Sequence, residues 1–574
     1  MFVVFEGIDG SGKTTLSNQV AKTLRQAGLS VEHVRESGQF GSVVVQAMRE
    51  LSRDQRNLAL GSRAELLLFA ARDAQLLEET TRPALGLADV VLADRYLYTA
   101  EVLASAGRGL PHEVIEPVLL AASGGLVPDL VILLDTDPQV ARARRRLAKI
   151  LTPDPRPSSR KGLAGAGLAY RLRKGYRQIA ARESDRWITI DNTEADVDHL
   201  VRHLARVIAT AVRQGVPAAR VLAHSERPPP QADAVRVSTP SGALDVFLDW
   251  VDRRLEHEPG LAAYFVGGLA GRQVDERRWA LAKLAPEVVV AGLWGLNDSV
   301  SWQLRLYLAR SIPRLIARSL GGPSLGTSQA HALRRELASE APAEIAASLE
   351  ARDDETSWEL REELYRVAPD AVVASLKCLA SDRAWALRAR WLAQRGGLPS
   401  AVENYSGARA AARAVLGLDD SEAWEWRKAA LAEAPVAALA SLSGLEGDRS
   451  WRWRQRYRDR APKVIARTLD GMNGAEAWAL RQALTPHCKE TLDSIYGLSG
   501  DEAWRLRATF ADLWPSAVVK SLGPLASTTE GRELVARQLG RNPGDLLLLK
   551  HAAAIALETP PLSRGRYRRL DGKP

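Results

Sequence analysis

The chain has 574 residues, 46% of them apolar and 26% charged, which is too long for one hydrophobic core, so two or more domains are expected. Two cysteines, Cys378 and Cys488, exclude a disulfide framework and suit a reducing compartment. With no recognisable targeting segment and no run of membrane-span length, the expected location is the cytoplasm. The net charge of +9 admits a nucleic-acid or anionic partner. The favoured reading is a phosphate-binding enzyme joined to an Arg-rich helical array, with nucleic acid ranked last for want of a Lys/Arg block with interleaved aromatics.

In chain order, the apolar run Phe2–Phe5 leads into Gly7-x-x-x-x-Gly12-Lys13-Thr14, a P-loop pattern. Gly7, Gly10 and Gly12 let the backbone turn with its N–H groups facing phosphate oxygens. Lys13 can reach the β- and γ-phosphates, and the Thr14 hydroxyl can ligate Mg²⁺. A helix with Leu16, Val20 and Leu24 on one face follows, so the triphosphate also meets a helix N-terminus. Further apolar runs at Val31–Val34, Val90–Ala93, Leu130–Leu134 and Trp187–Ile190 alternate with helical patterns. They predict a doubly wound α/β domain over residues 1–212 with a parallel five-stranded sheet. Pro217, Pro228-Pro229-Pro230 and Pro240 mark a linker over 213–242.

An internal repeat then fills 243–555. Trp302, His331, Trp358, Trp385, Trp424, Trp451, Trp478 and Trp504 occupy one equivalent position, most often 27 residues apart. The longer gap after Trp385 implies an insertion around Gly396–Ser406, Trp279 opens a divergent early copy, and Gly531 opens a late one. Each anchor has Arg three residues later, from Arg305 to Arg507, and six have Pro eleven residues later. Pro opens a second helix at its first turn. Short helix pairs of this kind bury their faces only when stacked. The array therefore reads as an all-α solenoid of two-helix repeats and resembles the broad HEAT-like class. The Trp row is read as core. The Arg row is open between stacking on Trp, pairing with acidic turn residues of a neighbouring copy, and lining a binding face. Residues 556–574 read as a disordered basic tail.

Several pieces of residues 1–210 together resemble the thymidylate kinase family. They are Phe5-Glu6-Gly7-Ile8-Asp9-Gly10-Ser11-Gly12-Lys13-Thr14-Thr15, Arg35-Glu36, Leu68-Phe69-Ala70-Ala71-Arg72-Asp73-Ala74-Gln75, Asp94-Arg95-Tyr96, Ala106-Gly107-Arg108-Gly109-Leu110, Pro128–Asp135, Gly175-Tyr176 and Trp187–Asp191. The resemblance implies phosphoryl transfer from ATP to a nucleoside monophosphate, dTMP first. It assigns the donor phosphates to the loop from Gly7 to Thr15, with Lys13 catalytic. It assigns Mg²⁺ to Thr14 and Asp94. Acceptor contacts fall to Asp9 at the sugar hydroxyl, Arg35 and Arg95 at the phosphate, Phe69 stacked on the base, and Arg72 and Arg108 beside them. A basic lid between Arg142 and Arg173 is implied, with Arg160 as its catalytic cation. A homodimer through this domain is compatible with the resemblance, as is a protein partner on the array.

The sequence also departs from the family pattern. An expected Ala-Tyr-Gln stretch reads Val102-Leu103-Ala104, Ser37 stands for a proline, and the acceptor-helix Arg is shifted from the place of Asp73 to Arg72. The runner-up reading is a regulatory NTPase or switch on a kinase-like fold whose array binds a protein.

Overall fold

The computed structural model describes residues 1–35, 41–152, 159–165, 167–193, 197–216, 221, 237–484 and 489–558. Glu36, Ser37, Arg156, most of the expected linker, Cys488 and the basic tail lie outside the described residues. The chain divides into two compact units. The first holds Met1–Arg146, Ser158–Gly162 and Ala166–Ala232; the second holds Leu147–Pro157, Leu163–Gly165 and Asp233–Pro574.

In the first unit, β1 (Phe2–Glu6), β2 (Val31–His33), β3 (Val90–Asp94), β4 (Leu130–Asp135) and β5 (Trp187–Asp191) form one all-parallel sheet in the order β2-β3-β1-β4-β5. Every residue of β1, β3 and β4 is buried, which is why these strands read as unbroken apolar runs rather than alternating ones. Six helices bear on the site: α1 (Lys13–Gln26), α2 (Ser62–Leu76), α3 (His112–Ser123), α4 (Pro138–Leu151), α5 (Gly167–Arg182) and α6 (Val197–Gln214). On one face of the sheet α1 packs Leu16, Val20 and Leu24 together with Leu204 and Ile208 of α6. A second cluster joins Leu66 of α2, Ala100, Ala104 and Ile115 of α3, with Phe69 against it. From β1 the chain first builds the sheet outward through β2 and β3, then crosses back to β4 and β5. The reversal leaves a crevice beyond the carboxyl end of β1. Four strands end on carboxylates there: Glu6, Asp94, Asp135 and Asp191.

The second unit is made of helix pairs, such as Ser299–Leu308 with Pro313–Ser319 and Glu355–Leu364 with Pro369–Ala374. First helices start on side-chain caps: Asp298, Asp354 and Asp420 accept from the backbone N–H of Ser301, Ser357 and Ala423. Most second helices start on Pro and stack on those of the neighbouring pairs. In the gap after Trp385, the helix Asp382–Gln394 is lengthened, and Leu398–Ala401 and Tyr405–Ala414 follow it.

The structure settles the Arg row. Arg305, Arg334, Arg361, Arg388, Arg427, Arg454, Arg481 and Arg507 are all fully buried. Arg361 is typical. Its Nη2 donates to Leu349 O at 2.7 Å and its Nε to Ser375 Oγ at 3.0 Å, while its guanidinium lies 4.6 Å from the Trp358 ring centroid. One side chain thus satisfies a carbonyl left over at the end of the preceding pair's second helix and grips the second helix of its own pair. Burial lowers the guanidinium pKa to about 10. The Trp row is uneven: Trp302, Trp358, Trp424 and Trp478 are buried, but Trp385, Trp451 and Trp504 are only half-buried.

The same bonds correct the register of the outer copies. Arg278 bonds Leu269 O, nine residues back, as Arg305 bonds Leu296 O. The early copy is therefore anchored at Asp275, and Trp279 instead stacks on Tyr307. Thr528 caps Gly531 as Asp298 caps Ser301, so the late copy's anchor is Arg532. The array also closes on itself. Its first helix, α7 (Pro240–Arg254), packs on its last, Leu546–Ala556, and Lys550 Nζ donates to Gly267 O at 2.7 Å.

Candidate active site

The site grows from the turn after β1. Gly7 has φ 138°, where a Cβ would lie 2.6 Å from Leu134 O; Gly10 has φ 90°, where a Cβ would lie 2.2 Å from Ala141 O. Only glycine fits either position. Asn192 Nδ2 donates to Ser11 O at 2.7 Å and braces the loop from beyond β5. Lys13 is buried, its Nζ donating to Ile8 O at 2.6 Å and to Ser11 Oγ at 3.2 Å. Burial lowers its pKa to about 7, aided by Arg95 and opposed by Asp94, Asp9 and Glu6. Thr15 is exposed at the start of α1.

Register places Asp94 beside Phe5 in β1, hence next to the loop. Asp94 Oδ2 accepts from Thr14 Oγ1 at 2.5 Å and lies 3.8 Å from an Arg35 nitrogen. Burial would raise this carboxyl, but Arg95, Lys13, Arg35 and Thr14 outweigh it and hold it below its usual range. Asp94 Oδ1 is buried and accepts no hydrogen bond. A hydroxyl beside a carboxylate with an open lone pair fits what Mg²⁺ takes from a protein when phosphates and water supply its other ligands. Among the described residues no cluster of three or more His, Cys, Asp or Glu could cage a metal.

Arg95 follows with φ 84°, a left-handed conformation that costs a non-glycine residue roughly 1–3 kcal/mol. The strained backbone turns its side chain back over the loop. Arg95 Nη1 donates to Gly7 O at 3.2 Å and Thr99 Oγ1 at 3.1 Å, and Nη2 pairs with Asp9. Asp9 also meets Lys161 Nζ at 3.4 Å. With Lys161 the largest influence and Arg95 beside it, the Asp9 carboxyl is held well below its usual range. Behind them, buried Glu6 accepts from Tyr96 N and Thr99 Oγ1, both at 2.9 Å, and Tyr176 OH meets Thr99 Oγ1 at 3.0 Å.

Phe69 is half-buried on α2 with the Arg72 guanidinium 4.6 Å from its ring centroid. Arg72 Nε donates to Asp73 Oδ1 at 2.7 Å. Arg108 and Arg160 meet elsewhere than the loop: both engage Glu65, Arg108 at 2.7 Å and 3.2 Å. Arg160 also reaches Ser52 O and Leu60 O, both at 3.4 Å. The lid cation placed at the loop is instead Lys161. Val102, Leu103 and Ala104 are buried core. Glu65 and Asn192 carried no sequence signal, whereas Lys161 lies within the basic lid and Thr99 follows the Asp94-Arg95-Tyr96 motif in place of the family's Ser.

A P-loop at the end of a central parallel strand, a carboxylate at the end of the next strand and a ring of cations define a nucleoside monophosphate kinase, a phosphotransferase. The thymidylate kinase family model matches residues 5–203. Thymidylate kinase of Trichlorobacter lovleyi is 40% identical over 195 residues, 34% of this chain and 90% of the relative. That of Desulfovibrio desulfuricans is 36% identical over 219 residues, 38% of this chain and 98% of the relative. That of Bifidobacterium longum subsp. infantis is 35% identical over 229 residues, 38% of this chain and 94% of the relative. The chain belongs to the thymidylate kinase family.

Proposed function

We propose that the N-terminal unit transfers the γ-phosphoryl group of ATP to dTMP, giving dTDP and ADP, and that the array binds a protein partner or directs assembly, in the cytoplasm. The observation that carries the kinase reading is the juxtaposition of Thr14 and the open Oδ1 of Asp94 with the Asp9–Arg95 pair across one loop. Thr14 and Asp94 would hold Mg²⁺, which would supply charge neutralisation at the donor phosphates. The backbone from Gly7 to Thr15 and Lys13 orient those phosphates. Arg35 and Arg95 hold the acceptor phosphate, one of whose oxygens attacks the γ-phosphorus as the bond to ADP breaks. Asp9 accepts from the acceptor sugar hydroxyl, and Lys161 offsets charge on the transferring group. Phosphoryl transfer asks for little more than such positioning and neutralisation.

Base recognition is weaker than transfer. Val102, Leu103 and Ala104 are buried and offer no polar side-chain contact, and Arg72 is engaged by Asp73. A site short of hydrogen-bond partners discriminates poorly, so related pyrimidine monophosphates should be accepted beside dTMP. An ADP-release assay over a nucleoside monophosphate panel tests this. If no monophosphate is phosphorylated while ATP or GTP is hydrolysed, the regulatory-NTPase reading replaces it.

A further inference from the structure

On the array's first helices, the copies anchored at His331, Trp358 and Trp385 are tied to one another by ion pairs. Arg383, two residues before Trp385, meets Glu355, three before Trp358, at 2.9 Å. Arg390, five after Trp385, meets Glu362, four after Trp358, at 2.8 Å. Arg335, four after His331, meets Glu359, one after Trp358, at 2.6 Å. Between α8 (Ser421–Ala430) and α9 (Asp448–Tyr457) the corresponding positions are not complementary. They oppose Arg449 to Ser421, and both Arg452 and Arg456 to Lys428. Lys428 is itself paired with Glu425 in its own helix at 2.7 Å. On the following helix, Ala475–Leu484, the corresponding positions nearest Arg452 and Arg456 hold Ala479 and Ala483. Arg449, Arg452 and Arg456 are exposed, and among the described residues no carboxylate forms an ion pair with them.

These arginines are not scattered. Arg449, Arg452, Trp453 and Arg456 fall at i, i+3, i+4 and i+7, one face of the helix. The position of Trp453 holds buried leucine in most other copies (Leu304, Leu360, Leu480 and Leu506 among them) and buried Trp426 in the preceding one. In α9 it holds a half-buried indole, propped edge-on against Trp424 with centroids 5.5 Å apart. Around the buried Arg454, the run Arg449-Ser450-Trp451-Arg452-Trp453-Arg454-Gln455-Arg456 is thus a basic stretch with interleaved aromatics, the kind of block whose want had ranked nucleic acid last.

We propose that this face of α9 binds single-stranded nucleic acid. The three guanidinium groups take backbone phosphates, which their planar forks suit better than ammonium groups do. The Trp453 ring offers a base a stacking surface, which an acidic peptide would leave unused. At 1.5 Å rise per residue the arginine stripe spans about 10 Å, room for two or three phosphates.

The test is fluorescence anisotropy of the full-length protein with a labelled oligothymidylate of about twenty nucleotides. Binding should weaken with salt at a log–log slope of about −2, as expected for three phosphates at about 0.7 each. Combined Arg449→Glu, Arg452→Glu and Arg456→Glu should weaken it at least about tenfold, with melting temperature and ATP turnover unchanged. Trp453→Leu, the residue most other copies carry, should cost about fivefold or more without loss of stability. Binding that survives the triple charge reversal, absence of binding at low salt, or equal competition by polyglutamate would each overturn the proposal. The last outcome would point to an acidic protein instead.

Discussion

Lys13 joins two properties that a motif alone does not reveal together: it is buried, and its pKa falls to about 7. Because the folded value lies below the unfolded one, the penalty this group places on folding is complete below pH 7 and fades as pH rises toward the ordinary lysine value. A bound triphosphate reverses the preference by favouring the ammonium form. At pH 8, ATP binding should therefore take up close to one proton, visible as a calorimetric heat that changes with the buffer's ionisation enthalpy. A buffer-independent heat would mean that Lys13 is already charged. Lys13→Ala should abolish turnover with the melting curve preserved, and surviving turnover would remove the loop from the chemistry. Glu65 is buried between Arg108 and Arg160. Glu65→Ala would strand two cations and should lower stability by about 3–5 kcal/mol, read in denaturant unfolding.

At the scale of the helix pair, the structure reverses an energetic ranking. A half-exposed cation–π pair is worth about 0.5–1 kcal/mol, which would make each repeat's arginine the lesser partner of its tryptophan. Arg454 is instead fully buried, bonding Leu442 O at 2.7 Å, Thr468 Oγ1 at 2.9 Å and Ser450 Oγ at 2.9 Å. Trp451 is half-buried, with its Nε1 donating to Glu446 O at 3.0 Å. Arg454→Met keeps the volume but leaves buried acceptors unpaired, at about 1–3 kcal/mol each. It should destabilise the protein more than Trp451→Ala does, measured as midpoint shifts in urea. The opposite order would return the Trp row to the centre of the repeat. The arginine's fixed partner was visible in the sequence: Ser319, Ser348, Ser375, Ser441 and Ser521 each lie fourteen residues after it. That spacing goes unnoticed until one bond gives it meaning.

For the whole molecule, closure of the array alters how it should come apart. An open stack frays from its ends, because terminal repeats have one neighbour. Here α7 packs on α10 (Leu546–Ala556). Deleting residues 545–574 should therefore abolish hydrogen-exchange protection in α7, some 300 residues away in sequence, while the middle repeats stay protected longer. Unchanged protection in α7 would show that the closure contributes little. Independently, limited proteolysis should cut first between Gly215 and Ala243, where proline-rich sequence joins the two units. Early cleavage elsewhere with that segment intact would move the boundary.

The sequence by itself determined the five strands, the phosphate loop, the family and the period of the array. These follow from local rules: buried parallel strands are continuous apolar runs, and a phosphate cradle needs glycine at set positions. Asp94 and Arg95 were legible because a strand end fixes where its next residues point. Tertiary structure alone decided which cations gather at the loop. Lys161 and Arg160 are adjacent in the chain, yet one reaches Asp9 and the other Glu65. Neighbouring side chains point different ways, and their partners lie some 95 to 152 residues distant. It also decided the fate of the Arg row and the meeting of the first and last array helices. Burial and closure depend on contacts summed over many copies, and no single repeat carries that sum.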